Sequence, residues 1–178
     1  MAIYLGSERV RFPLISSSSL PSKDMVDIID GTIESYYNNR VNRIERSKFD
    51  NQLNLTLVSF LNCSYIGSYA FANCDGLTSV NFPNCNYIGD YAFNYCYSLA
   101  SISLPNCSYI GSYAFYECEN LTSVNLIGIL SIPILERGCF AFTPIDEQSG
   151  SVYVPASLYS SFLTATNWSV ISSRIVSV

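Results

Sequence analysis

The sequence predicts a right-handed superhelix of stacked repeats, a solenoid of α/β character. Short parallel strands should line one face, and irregular or short helical returns should line the other. Two observations support this prediction: a motif that recurs at a fixed interval, and a strand-like alternation of apolar and polar residues inside each copy. A third is that both ends of the chain differ from its middle, as the capping segments of a solenoid do.

The motif recurs every 22 residues and is clearest in three consecutive copies. Residues 66–82 read IGSYAFANCDGLTSVNF, residues 88–104 read IGDYAFNYCYSLASISL, and residues 110–126 read IGSYAFYECENLTSVNL. Weaker copies extend the pattern in both directions. The apolar positions that continue the columns are Ile33, Tyr36, Val41, Ile44, Phe49, Leu55, Val58, Phe60 and Cys63 before the clear copies, and Ile129, Ile132 and Val154 after them. In this register, Ile129 falls on the column of Cys107 and Ile132 falls on that of Ile110.

The second half of each copy predicts a strand with one buried face. Leu77, Val80 and Phe82 should point inward, while Ser79 and Asn81 face solvent. A proline then ends the strand in two copies, because it has no N–H to donate. The first half, I-G-x-Y-A-F-x-x-C, returns the chain across the convex side. No single copy can bury its own apolar face, so the copies must stack.

The two ends predict different structures. Residues 1–20 predict a small hairpin around Gly6 followed by a serine-rich linker, and residues 21–155 form the solenoid, clearest at 44–132. A short capped helix is expected after Pro21. Residues 156–178 predict a capping helix and tail, with an amphipathic helix over 155–166. Beyond it, apolar cover for the last coil is expected from Trp168, Val170, Ile171 and Ile175.

The repeat resembles the BspA-like leucine-rich repeats of bacterial surface proteins, which also occur in protists and phages. The resemblance covers about residues 24–176. It includes the ending VPASLYSSFLTATNWSVISSRI, which is similar to the C-terminal cap of that family, and MVDIIDGTIESYYNNRVNRI, which is similar to its lead-in segment. The resemblance implies a leucine-rich-repeat solenoid that binds through its repeat surfaces, a cell-surface or extracellular location and an adhesive role. It implies no catalytic residues and no named ligand.

Composition and charge exclude several classes of function. The net charge is −5, and no Lys or Arg occurs between Lys48 and Arg137. Neutralising phosphates requires cations, so we expect no nucleic-acid partner. No apolar stretch is long enough to predict membrane insertion. The start of the chain shows no secretory signal, because Glu8, Arg9 and Arg11 interrupt the place of an apolar core.

Six of the seven cysteines recur every 11 residues, in two columns. Buried free thiols are the preferred interpretation, because cysteine packs as a small apolar group. Disulfides between neighbouring coils are an alternative. A metal site is disfavoured because the chain has no His and no closely spaced Cys pair. The columns are Cys63, Cys85 and Cys107, and Cys74, Cys96 and Cys118.

Catalysis finds no support in the sequence. The chain has no histidine, which is the commonest general base, and no serine is paired with a base. A glycosidase would need two facing carboxylates, which the repeats do not supply. We therefore expect no catalytic residues, no metal and no cofactor, and treat a carbohydrate-active enzyme as the least favoured function.

Two exposed stripes are candidate binding surfaces. The first is the polar sheet face, whose hydroxyls and amides suit a peptide backbone or a glycan; it comprises Thr78, Ser79, Asn81, Ser101, Ser103, Thr122, Ser123 and Asn125. The second is a tyrosine stripe on the convex flank, which suits aromatic contacts with a sugar or protein; it comprises Tyr65, Tyr87, Tyr109, Tyr69, Tyr91 and Tyr113. For both, an ordinary solvent-facing structural role is the alternative.

The leading hypothesis is an adhesin-like module that binds a protein or a surface glycan through the sheet face. The alternative is a structural component of a phage or prophage virion. Its basis is the opening IYLGSERV, which is similar to openings in gut Firmicutes and prophage proteins.

Overall fold

The computed structural model describes residues 4–5, 8–9, 35–38 and 40–178. Strands β1 (Tyr4–Leu5) and β2 (Glu8–Arg9) pair antiparallel, with Tyr4 opposite Arg9. The predicted turn at Gly6, the serine linker and the helix after Pro21 lie outside the described residues, as does Ile33.

From residue 35 the chain winds as a solenoid that carries the predicted parallel strands. Val58 pairs with Tyr36 on one side and with Val80 on the other, so the 22-residue columns are confirmed. The strands form two sheets, ordered β3-β5-β7 and β9-β11-β13-β14. Their bounds are β3 (Ser35–Tyr37), β5 (Leu57–Ser59), β7 (Ser79–Asn81), β9 (Ser101–Ser103), β11 (Ser123–Asn125), β13 (Ser151–Val154) and β14 (Ile175–Ser177).

A second parallel ladder runs through the segment that the sequence assigned to the return. Each coil contributes two residues, the second of them buried, and in the three clear copies that residue is the isoleucine of the I-G motif. Glycine follows because the coils approach too closely for a side chain: a Cβ on Gly89 would lie 2.6 Å from the Ser68 nitrogen. The strands are β4 (Arg43–Ile44), β6 (Tyr65–Ile66), β8 (Tyr87–Ile88), β10 (Tyr109–Ile110) and β12 (Ile134–Leu135).

The rest of each return is a run of turns stabilised by a third ladder. Tyr69, Phe71 and Asn73 donate their N–H groups to carbonyls of the next coil, at 3.0, 2.8 and 2.9 Å. Tyr69 and Asn73 adopt positive φ, 59° and 56°. The left-handed region costs a residue with a side chain about 1–2 kcal/mol. Hydrogen bonding between coils offsets that cost. The same two positions have positive φ in every coil from Ser47 to Phe142.

The core consists of side-chain columns, as the repeat predicts. Ile66, Ile88 and Ile110 are fully buried and in register. A column of phenylalanines runs beside them, with neighbouring rings 5.0–5.7 Å apart and nearly parallel. Its members are Phe49, Phe71, Phe93, Phe115 and Phe140.

The period lengthens after the third clear copy. Ile110 pairs with Leu135, so placing Ile132 on this column was wrong. Ile129 is buried, and the extra residues between it and Leu135 bulge outward, leaving Leu130 96% exposed. A further insertion brings Val152 opposite Val124. The clear copies do not predict where either insertion falls, because loop insertions leave the columns on both sides intact.

The C-terminal end closes the stack with less helix than predicted. A 3₁₀ turn (Ala156–Leu158) leads into α1 (Tyr159–Phe162), and a second 3₁₀ segment spans Trp168–Arg174. The buried Trp168 ring lies edge-on to Phe162, and its Nε1 donates to the Pro133 carbonyl at 2.8 Å. Val170 was wrongly assigned to the apolar cover, since it is 78% exposed.

The phenylalanine column predicts a large stability loss on truncation. Phe93→Ala removes the ring between Phe71 and Phe115, and we expect it to lower the free energy of unfolding by about 3–5 kcal/mol. Urea unfolding followed by circular dichroism measures the change. Leu130→Ala is the control, since its side chain is exposed and we expect a change under about 0.5 kcal/mol. Equal effects of the two substitutions would contradict the stacked core.

Candidate binding surfaces

Four of the eight polar-face residues form hydrogen bonds within the protein through their side chains. The Thr78 and Thr122 hydroxyls donate to carbonyls of the preceding coil, Thr56 at 3.0 Å and Ala100 at 3.4 Å. Asn81 donates to the Ser59 hydroxyl at 3.0 Å. The Asn125 side-chain oxygen accepts from the Ile127 N–H at 2.8 Å. These side chains tie neighbouring coils or turns together and stiffen the face.

The four serines of the face differ from these residues, because their hydroxyls form no hydrogen bond within the described residues. Ser101 and Ser103 are exposed, and Ser79 and Ser123 are half-buried. Across residues 40–178 their hydroxyls have no hydrogen-bond partner. The eight residues carry no charge. The face therefore offers uncharged donors and acceptors in a fixed array.

The ladder of this face is interrupted between β7 and β9. In the other coils, Phe60 donates to Asn81 and Leu104 donates to Asn125, at 3.0 and 2.8 Å. In the described structure, the equivalent bond from Phe82 to Ser103 is missing, and no strand pairing joins β7 to β9. Val80 is half-buried here, although Val58 and Val124 in the same column are fully buried. We call this interruption, at residues 78–82 and 100–104, the seam.

One shorter side chain, Ala100, marks the seam. Thr78 and Thr122 each bond to the coil before them, but the residue between them in the column is Ala100, which has no hydroxyl. The Thr122 N–H donates to the Ala100 carbonyl. In the described structure, the Ala100 N–H does not donate in the same way to the Thr78 carbonyl. Sequence reasoning missed the seam, and alanine at a threonine position was the signal that could have revealed it.

The tyrosine stripe lies on the β6-β8-β10 ladder and the turns that follow it, as two columns of stacked rings. Tyr65, Tyr87 and Tyr109 stack at 4.6 and 4.7 Å. Tyr69, Tyr91 and Tyr113 stack at 4.9 and 5.2 Å. Ring faces within each column therefore cover one another.

Other groups cover three of the four column ends. The Arg43 guanidinium lies 3.8 Å from the Tyr65 ring centroid, and that of Arg46 lies 5.2 Å from the Tyr69 centroid. Tyr113 packs against Gly138, where an added Cβ would lie 2.5 Å from the ring. The stripe thus presents ring edges and hydroxyls. Burial, followed by neighbouring tyrosines and carboxylates, raises the pKa of Tyr87, so its hydroxyl stays a donor at neutral pH.

All seven cysteines are buried and unpaired in the structure. One column donates to carbonyls of the preceding coil, with Cys74, Cys96 and Cys118 at 3.0–3.2 Å from Phe49, Phe71 and Phe93. Burial raises the pKa of Cys74 and Cys118 to about 12. Nucleophilic attack needs the thiolate, so these thiols are packing groups.

Two other features are absent from the described residues. No group of three or more His, Cys, Asp or Glu side chains in this part of the chain is arranged to hold a metal ion. No helix in it has the length and apolar character needed to span a bilayer.

The repeats match a known family of leucine-rich repeats. The family model for the BspA-type leucine-rich repeat region matches six copies over residues 36–160. A crystal structure of a leucine-rich repeat protein from Bacteroides ovatus is similar over 85% of this chain, with 24% identity and a TM-score of 0.59. The match spans 38% of that longer chain, and the likeness concerns the fold alone. No curated protein matches the chain.

The buried thiols predict resistance to alkylation. At pH 8 we expect iodoacetamide to leave the native protein unlabelled, because raised pKa values and burial keep the thiols protonated and inaccessible. Mass spectrometry after unfolding in guanidinium should then show seven labelled cysteines. Fewer than seven without reductant, restored by reductant, would show disulfides and contradict the free columns.

The seam predicts a local difference in amide exchange. We expect Phe82 N–H to exchange at least about tenfold faster than Phe60 and Leu104 N–H, because an unpaired amide lacks protection. Ala100→Thr supplies the missing hydroxyl and should slow exchange across the seam. Ala100→Ser is a graded variant, and Ala156→Ser, at an exposed alanine in the C-terminal 3₁₀ turn, is a control. Equal protection of the three amides in the parent protein would show that the seam does not exist.

Proposed function

Since the chain belongs to the BspA-type leucine-rich repeat family, we propose that it is a non-catalytic module that binds another protein through the polar sheet face. The observation that carries the proposal is the row of serine hydroxyls that no group in residues 40–178 engages. At the seam, main-chain N–H and C=O groups beside Ser101 and Ser103 lack the strand hydrogen bonds found in other coils of the described structure. A rigid array of this kind binds with little loss of conformational entropy.

The tyrosine columns favour a protein over a glycan as the partner. Sugars commonly stack on an exposed aromatic face, but the faces in these columns cover one another at 4.6–5.2 Å. Hydroxyls and amides on the sheet face match the alternating donors and acceptors of an extended peptide. A surface glycan stays the alternative, and the experiment below separates the two.

The absence of catalysis is part of this proposal. Histidine is missing from the chain, and its cysteines are protonated packing groups. We also propose a cell-surface or extracellular setting, as the family resemblance implies, with a virion component as the alternative. Tail genes beside the coding sequence would favour the virion.

Arrays of glycans and of purified secreted and surface proteins test the proposal. We expect the full chain to bind a protein, and Ser101→Lys with Ser103→Lys to weaken binding at least about tenfold, because bulk and charge now occupy the face. Ser157→Lys with Ser160→Lys is the matched control, since it adds the same charge at exposed serines near α1. Binding of glycans alone would overturn the choice of partner. Equal binding by both double variants would overturn the choice of face.

A further inference from the structure

A second cluster of aromatic rings lies on the turn face and shares Tyr113 with one of the stacked columns. Tyr116 is at its centre, with Tyr95, Tyr113 and Phe142 around it at 5.4–5.7 Å between ring centroids. The interplanar angles are 76–89°, so these contacts are edge to face. Tyr97 adds a tilted ring 5.9 Å from Tyr95. An edge-to-face contact covers a face of only one of its two rings, whereas a stacked contact covers a face of each.

Repeat geometry assembles this cluster. Tyr95, Glu117 and Phe142 occupy the same left-handed turn position in three successive coils, with φ of 58°, 53° and 57°. The coils hold this position in line, because Tyr95 N–H donates to Tyr116 at 2.9 Å and Glu117 N–H donates to Ala141 at 3.0 Å. Three consecutive coils therefore bring large rings and a carboxylate together on a hydrogen-bonded backbone. Phe142 is 56% exposed, whereas phenylalanine is among the residues most often buried.

Carboxylates surround the same rings. A depression of about 340 Å³ is lined by Glu117, Glu119, Glu147 and Phe142. Across the described residues, the ion pairs comprise only Arg43 with Glu45, so these three glutamates form none. The nearby Arg174 guanidinium donates instead to the Gln148 carbonyl, at 2.7 Å. A hydrogen bond to Glu117, then burial and the Glu117 charge, raises the pKa of Tyr116. The depression therefore holds three carboxylates that form no ion pair within the described residues.

We propose that this aromatic–acidic surface binds an arginine-bearing segment of a protein partner. Exposed ring faces attract a guanidinium through its positive charge and its planar stacking surface, and the glutamates supply bidentate acceptors. Lysine offers only a point charge, so arginine is preferred. The site lies on the turns, whereas the proposed sheet-face site lies on β7, β9 and β11, so the two sites can be tested separately.

Fluorescence anisotropy with labelled peptides tests the site on the full chain. The probes are an alternating Arg-Gly peptide, its Lys-Gly counterpart and a Ser-Gly peptide of equal length. We expect the arginine peptide to bind most tightly and the serine peptide not to bind. Binding should weaken as salt rises, because exposed charges are screened over about 8 Å at physiological ionic strength.

Three variants test which groups carry the binding. Glu117→Gln with Glu147→Gln should weaken arginine-peptide binding by about threefold to tenfold, and Phe142→Leu by about twofold to fivefold. Both alter exposed or half-buried side chains, so we expect the circular dichroism spectrum to stay unchanged. Glu136→Gln is the control at a carboxylate outside the depression.

Two results would overturn the inference: no binding of the arginine peptide at low salt, or equal affinity of the parent protein and both test variants. The Ser101→Lys and Ser103→Lys double variant should bind the arginine peptide like the parent protein. Failure of the sheet-face proposal is therefore distinguishable from failure of this one.

Discussion

The structure depends on hydrogen bonding between backbone segments one repeat apart. Three sets of these bonds join the coils: in the strands of the polar face, where the seam interrupts them, in the two-residue strands of the second ladder, and in the turns. Because each coil lies directly over the next, like side chains pile into columns. Isoleucine, phenylalanine and cysteine fill the interior, and tyrosine forms columns outside. Both the stability and the surface chemistry of the protein follow from this register between coils.

Registration also explains why the candidate surfaces arise where a column changes residue. Ala100 interrupts a threonine column, and the polar face opens there. The column that holds Asn73 changes to Tyr95, Glu117 and Phe142, and the acidic aromatic surface appears. In both cases the backbone position stays constant while one side chain alters what that position can bind. Coils with the consensus residue supply the scaffold, and departures from it supply the chemistry.

The sequence predicted the columns because burial repeats with the period, as Ile66, Ile88 and Ile110 show. It did not predict the second ladder, because a two-residue strand is too short to show alternation. The shift that pairs Ile110 with Leu135 was missed because the insertion is absorbed in a loop. The seam and the aromatic cluster were missed for a different reason. Predicting either one requires knowing which residues of neighbouring coils are in contact.

Methyl NMR on the intact chain tests the registration most directly. With isoleucine δ-methyls labelled, strands about 4.8 Å apart place equivalent side chains of adjacent coils within range of the nuclear Overhauser effect. We predict cross-peaks from Ile66 to Ile88 and from Ile88 to Ile110, with none from Ile66 to Ile110. Absence of both adjacent cross-peaks, in spectra that resolve all three methyls, would contradict the stacked solenoid.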